Sequence, residues 1–319
     1  LANAPYKHLY TVDGTPTVGD VCFSPCKDTN QWRTILVAGL NAGGRGYYAL
    51  DITDPNNPKG LWEFGVSATC LTDNDANPSS PDAATGSSDC HVGLSFGNPI
   101  ITKRASDGRW VVIVSSGYNN DKRGDGRGYI YVLDAQTGKI LNRFTTNVGT
   151  KSDPSGLARI SAWAANGFYD NTSLSVYGGD LKGNVWRVDL NQAKPSTYIA
   201  TKIISLVDPS GLAQPISTRP ELGEVNGQRM LYIGTGKNLS ASDLADTQKQ
   251  TIYGIRDDLV NSTTITYARN SASSQLVQQY LVAINAGSNR TVCGGTTVAT
   301  ADACPTPNSV DLKTKYGWF

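Results

Sequence analysis

Histidine is almost missing from the 319 residues: only His8 and His91 occur, and neither lies in a recognisable nucleophile motif, which leaves catalytic arrangements sparse. An excess of charge of either sign is also missing. Lys+Arg number 28 against 27 Asp+Glu, a net charge of +1 with only 17% charged residues. That balance excludes nucleic acid as a general partner, because phosphate binding needs a basic surplus. No apolar run approaches the ~20 residues that span a bilayer, so no membrane span is expected in this chain. The chain opens at Leu1 without Met or an apolar leader, and a mature or excised piece of a longer protein is expected.

What is abundant points one way. Thirty-three Gly, 15 Tyr and 6 Trp, with many Thr and Val, imply short strands joined by tight turns and exclude a helical bundle. Six cysteines form three sequence-local pairs, Cys22/Cys26, Cys70/Cys90 and Cys293/Cys304. Two readings compete. Cys22 and Cys26 have a plausible metal spacing, but no second close pair or histidine cluster follows. As disulfides, Cys22-Cys26, Cys70-Cys90 and Cys293-Cys304 would each close a short polar loop, which implies an oxidising, extracytoplasmic location.

An internal repeat organises the chain. Arg33-Thr-Ile-Leu-Val-Ala-Gly39 precedes Gly44-Arg-Gly-Tyr-Tyr-Ala-Leu-Asp51, and Trp110-Val-Val-Ile-Val-Ser-Ser-Gly117 precedes Gly128-Tyr-Ile-Tyr-Val-Leu-Asp134. Leu174-Ser-Val-Tyr-Gly-Gly179 precedes Gly183-Asn-Val-Trp-Arg-Val-Asp189, and Met230-Leu-Tyr-Ile-Gly-Thr-Gly236 precedes Thr251-Ile-Tyr-Gly-Ile-Arg-Asp257. Each unit is an apolar strand, a glycine turn and an alternating strand ending in Asp. In the second unit, alternation predicts Tyr131 and Leu133 on one face and Ile130 and Val132 on the other, one face inward.

Flanking strands are expected before each hairpin (Gly14-Thr-Pro-Thr-Val, Gly97-Asn-Pro-Ile-Ile, the stretch around Ile160, Ala213-Gln-Pro-Ile-Ser). Others are expected after it (Leu61-Trp-Glu-Phe, Ile140-Leu-Asn-Arg-Phe, Lys202-Ile-Ile-Ser-Leu, Thr263-Thr-Ile-Thr-Tyr). Four strands per unit is the grammar of a β-propeller blade, so the fold expected is all-β: a modified β-propeller of four-stranded antiparallel blades, one domain over residues 1–319. The closing Asp51, Asp134, Asp189 and Asp257 are 83, 55 and 68 residues apart, which places long loop insertions between blades. Four blades are visible. The segment from Gln275 to Ala283 is a candidate start of a fifth, and the remaining blades of an incomplete ring would lie outside the chain.

Several segments are similar to the signature stretches of a known family. They are Val12–Asp20, Val37–Pro55, Tyr177-Gly-Gly-Asp-Leu-Lys-Gly-Asn-Val-Trp-Arg-Val-Asp-Leu190, Gln214-Pro-Ile-Ser, Ile233-Gly-Thr-Gly236 and Gln250–Asp257. They resemble, in order, the carboxy-terminal modified propeller of the PilC/PilY group of type IV pilus tip-associated proteins, from about Tyr10 to Phe319. The resemblance implies a protein at the pilus tip or outer-membrane surface of a Gram-negative bacterium. Such a protein supports pilus biogenesis, adhesion to host cells or abiotic surfaces, and twitching motility, with minor pilins as partners.

The resemblance also implies a calcium loop of the form Asp-x-Asp/Asn-x-Asp-x-x-x-Asp before the Tyr177 strand. The matching positions are Asn166, Phe168, Asp170 and Leu174. Phe and Leu offer no oxygen, so loss of this site is expected. A second calcium candidate is Asp73, Asp75 and Asn77, which keep the 1, 3, 5 oxygen spacing of an EF-hand loop. Pro78 and Ala84 stand where its Gly and Glu belong, and a solvated insertion loop is the plainer reading. The turn Asn119–Gly128 contains Arg123-Gly124-Asp125, the tripeptide that integrins read; a plain hairpin loop is again the simpler account. Trp62, Trp110 and Trp186 fall on strands, where intersheet packing is expected.

An enzyme remains as the alternative, since quinoprotein-dehydrogenase propellers use similar strands. They also need a bound quinone, several calcium ligands and usually two adjacent cysteines, and no adjacent pair occurs here. A scaffold that only docks minor pilins is the third reading.

Overall fold

Runs of β-branched and aromatic residues cannot satisfy their backbone groups or bury their side chains alone, and here they do both by pairing into four-stranded sheets. The computed structural model describes residues 8–66, 86–121, 123–164, 166–192, 197–259, 265, 267, 274–283, 290–295 and 304–319. They fall into two compact units: residues 1–181 with 186–201, and residues 182–185 with 202–319. Among the described residues helix is confined to short 3-10 turns such as Thr29–Gln31 and Ala241–Ala245. Among the described residues no helix is long and apolar enough to cross a membrane.

In the first unit, β1 (Thr17–Cys22), β2 (Trp32–Gly39), β3 (Gly46–Asp51) and β4 (Lys59–Gly65) make one antiparallel meander. The second meander is β5 (Ile100–Arg104), β6 (Trp110–Ser115), β7 (Tyr129–Asp134) and β8 (Ile140–Thr145). β9 (Ile160–Ala164) pairs antiparallel with β10 (Thr172–Gly179), which neighbours β11 (Asn184–Asp189). A two-residue parallel bridge, Thr172 and Ser173 against Lys103 and Arg104, ties β10 to β5.

The alternation in β7 has a consequence that one sheet face alone did not suggest. Tyr129, Tyr131 and Leu133 pack on Tyr47, Trp62 and Phe64 of the first meander, whereas Ile130 and Val132 pack on Val176, Trp186 and Val188. Both faces are buried, each against a different neighbouring sheet, which is the environment of a blade between blades. Trp62 and Trp186 are 8% and 3% exposed, as intersheet packing requires.

The second unit contains β12 (Thr201–Ser205), then β13 (Glu221–Val225), β14 (Gln228–Gly234) and β15 (Ile252–Asp257) as an antiparallel meander. β16 (Leu276–Val277), the hairpin β17 (Tyr280–Ala283) with β18 (Arg290–Cys293), and β19 (Gly317–Trp318) complete it. Two expectations need correction here. The segment around Pro215 is not the first strand of the fourth sheet; β13 is. Ile216 makes only an isolated bridge to Gly236. The buried Gln214 amide instead donates to Lys249 O and the Thr251 hydroxyl and accepts from the Tyr253 hydroxyl. Next to β15 stands β19, not the Thr263–Tyr267 stretch, of which only Ile265 and Tyr267 are described. Ile265 bridges Ile204.

Candidate functional site

A concavity of the first unit forms where three turns meet. The loop after β1 is closed by a Cys22–Cys26 disulfide and braced by Phe23 N–H donating to Gln31 O at 3.0 Å. The Gln31 amide oxygen accepts from the Lys27 and Asp28 N–H groups. This brings Phe23 and Trp32 to one wall. The β5–β6 turn supplies the opposite wall, Asp107 to Trp110, and the β7–β8 turn supplies Asp134 to Gln136. Together they enclose a cleft of about 440 Å³, within the usual range for small-ligand sites. The Trp32 and Trp110 rings meet edge to face, 5.8 Å apart at 73°, and Trp32 is 44% exposed.

The carboxylates of the cleft are already committed. Asp107 takes Arg104 bidentately, Nε at 3.1 Å and Nη2 at 2.5 Å, and its Oδ1 also accepts from the Arg109 N–H at 3.2 Å. The Arg104 hydrogen bonds hold its carboxyl below the ordinary range. Asp134 Oδ1 accepts from Gln136 N–H, Thr137 N–H and the Thr137 hydroxyl at 3.1, 2.9 and 2.9 Å, as its place at a strand end before a turn led one to expect. The same turn needs Gly138: its φ is +68°, and a Cβ would stand 2.7 Å from the Trp62 ring.

The Arg123-Gly124-Asp125 turn is built differently from a free adhesion loop. Arg123 is exposed and Gly124 buried, but Asp125 turns toward the protein. Its Oδ1 accepts from Arg127 N–H at 2.9 Å and its Oδ2 from the Tyr129 hydroxyl at 2.8 Å. His91 Nδ1 stands 3.3 Å from Oδ1, close enough for an ion pair but without hydrogen-bond alignment. Burial alone would raise the carboxyl; the His91, Arg127 and Tyr129 contacts outweigh it and hold it at about 2. Because the folded value lies below the ordinary 3.8, the stabilisation is complete above pH ~4 and lost as pH falls toward ~2. Acid unfolding of Asp125→Asn should therefore lack that decline, at a cost of about 2 kcal/mol near neutrality.

Asp73, Asp75 and Asn77 lie outside the described residues, as does Cys70; its expected partner Cys90 is disulfide-bonded. Cys293–Cys304 is formed. The loop at Asn166–Leu174 does not fit calcium. Phe168 is 98% exposed, and the single carboxylate, Asp170, is occupied by Lys103 Nζ at 2.5 Å and the Thr172 hydroxyl at 2.7 Å. Among the described residues, no group of three or more His, Cys, Asp or Glu is placed to hold a metal ion.

Sequence reasoning missed Trp32, Phe23 and Arg109 and gave Trp110 a packing role only. The cysteine-closed loop was visible; its meeting with two distant turns was not.

Antiparallel four-stranded meanders, the β5–β8 one packed on both faces, with disulfide-closed loops, define a β-propeller. Residues 3–291 match the PilY1 beta-propeller domain model, and the chain belongs to that family. It is 33% identical over 276 residues to the type IV pilus biogenesis factor PilY1 of Pseudomonas aeruginosa PAO1, covering 78% of this chain and 21% of that protein. A PilY1 homolog of Xylella fastidiosa Temecula1 is 29% identical over 300 residues, covering 87% and 18%. The crystal structure of the P. aeruginosa PilY1 C-terminal domain superposes with a TM-score of 0.66 at 27% identity, covering 96% of this chain and 61% of that one. The chain thus spans about a fifth of the length of the curated relatives it matches.

Proposed function

We propose that this chain is the propeller module of a type IV pilus biogenesis factor. It acts at the pilus tip or outer-membrane surface of a Gram-negative bacterium, docks minor pilins, and supports host-cell or surface adhesion and twitching motility without catalysing a reaction. The match of residues 3–291 to the PilY1 propeller carries this reading. The formed disulfides Cys22–Cys26 and Cys293–Cys304 support it, since they suit an oxidising compartment.

The test is an in-frame deletion of the coding region for residues 8–319, with immunoblotting to verify that the remainder is made. Surface pili, attachment and twitching zones are then measured. The expected result is loss of twitching, with fewer pili or pili that no longer attach. Unchanged pili, attachment and twitching would overturn the reading, and pili that move normally but fail to attach would confine the module to adhesion.

A further inference from the structure

The charged and aromatic side chains of the cleft between Trp32 and Trp110 have donors to spare but few acceptors. Asp107 and Asp134 already hold the partners described above, and Lys103 is taken by Asp170. The donors are uncommitted. Neither the Trp32 nor the Trp110 indole N–H has a hydrogen-bond partner among the described residues. The Arg109 guanidinium, 45% exposed, makes only a loose 3.7 Å contact with Asp134. A ligand that fits must offer acceptors, preferably a carboxylate for the arginine fork, together with an apolar face for an indole.

We propose that this cleft binds an acidic sugar residue. The C–H face of a pyranose carries partial positive charge and lies against the negative face of the Trp32 ring. The sugar carboxylate accepts from Arg109, and ring hydroxyls accept from the indole N–H groups while donating to water or to the exposed Gln136 amide. A peptide suits the site less well, because each peptide unit brings an N–H donor with every carbonyl, and the cleft's carboxylates have little left to give.

The walls are preformed. The Arg33 guanidinium lies over the Phe23 ring, 5.9 Å from its centroid, and the Asp107 and Asp134 turns are fixed by their own hydrogen bonds, so little ordering cost falls on binding. This inference rests on the cleft and stands or falls separately from the pilus assignment.

Saturation-transfer NMR on the full 319-residue chain tests it, with galacturonic acid and galactose as probes that differ in the carboxylate, and acetyl-aspartyl-phenylalanine amide as the peptide probe. Galacturonic acid should bind with a Kd of about 1 mM and galactose about tenfold more weakly. Arg109→Gln should reduce galacturonic acid to the galactose level and leave galactose unchanged. Trp32→Ala should abolish both, and Trp32→Phe, which keeps a smaller ring, should retain part. A half-exposed Trp32 predicts an unchanged melting temperature for these variants. No transfer from galacturonic acid at ten times that concentration would overturn the proposal. So would equal binding of the two sugars, indifference to Arg109→Gln, or tighter binding of the peptide.

Discussion

Replacing Arg143 with methionine should lower the unfolding free energy by about 3–5 kcal/mol, the range for stripping one partner from a buried ion pair. Arg143 Nη1 lies 2.6 Å from Asp89 Oδ2, with the two side chains 2% and 3% exposed. The other carboxylate oxygen accepts from His91 N–H at 2.8 Å and from the Tyr131 hydroxyl at 3.3 Å. The guanidinium also stands 5.7 Å from the Tyr129 ring. Burial, with the Asp89 charge beside it, pushes the Tyr131 hydroxyl well above its ordinary value, so that phenol stays a neutral donor. Without the arginine, the Asp89 carboxylate loses the guanidinium and is left with the two neutral donors.

Adding Asp89→Asn to Arg143→Met should recover much of the loss, because the amide oxygen still accepts and the charge is gone. The contrast is Arg219 with Glu221, 2.9 Å apart but 54% and 65% exposed; Arg219→Ala should shift stability by no more than ~0.5 kcal/mol. Urea unfolding of the four proteins, disulfides intact, measures all of this. A loss at Arg143 no larger than at Arg219 would mean that the pair is solvated.

Legibility in the sequence follows from range. Trp110–Ser115 and Tyr129–Asp134 announce themselves as strands because their β-branched and aromatic content is local, and Asp134 announces its turn because an Asx carboxylate bonds the amides just after it. That both faces of β7 are buried was not legible, since Tyr131 and Ile130 are equally apolar whichever sheet they meet. The cleft was illegible for the same reason: Trp32, Arg109 and Gln136 become neighbours only when three turns converge. The Arg123-Gly124-Asp125 turn shows the opposite imbalance. Its tripeptide is conspicuous in the sequence, but the partners that occupy Asp125, His91 and Tyr129, carry no mark of that role. β19 was missed because two residues, Gly317 and Trp318, are too few for any periodicity to register.

That short strand is where the second large effect is expected. Gly317→Val should destabilise the second unit by more than ~3 kcal/mol, for two reasons that act together. Its φ is +135°, and a Cβ there would stand 1.8 Å from the Gly254 carbonyl oxygen, where neither backbone can yield without breaking the sheet. β19 lies between β15 and β16, antiparallel to Gly254–Ile255 and parallel to Leu276–Val277. The ladder continues outside it: Tyr316 N–H donates to Gln275 O at 2.8 Å, Arg256 N–H to Tyr316 O at 2.7 Å, and Phe319 N–H to Val277 O at 3.0 Å.

Phe319, 5% exposed, stacks at 5.9 Å on Tyr253 and packs at 5.3 Å on Tyr267, so Phe319→Ala should by itself cost about 3–5 kcal/mol. Asn226-Gly227 in the β13–β14 turn is the control. Gly227 has φ +74° but open space around it, so Gly227→Ala pays only backbone strain, about 1 kcal/mol. Hydrogen exchange locates the damage: Gly317→Val should strip protection from the Arg256 amide and leave the β6–β7 amides of the first unit slow. If Arg256 stays protected while global stability falls, the strain lies elsewhere and β19 is not what holds β15.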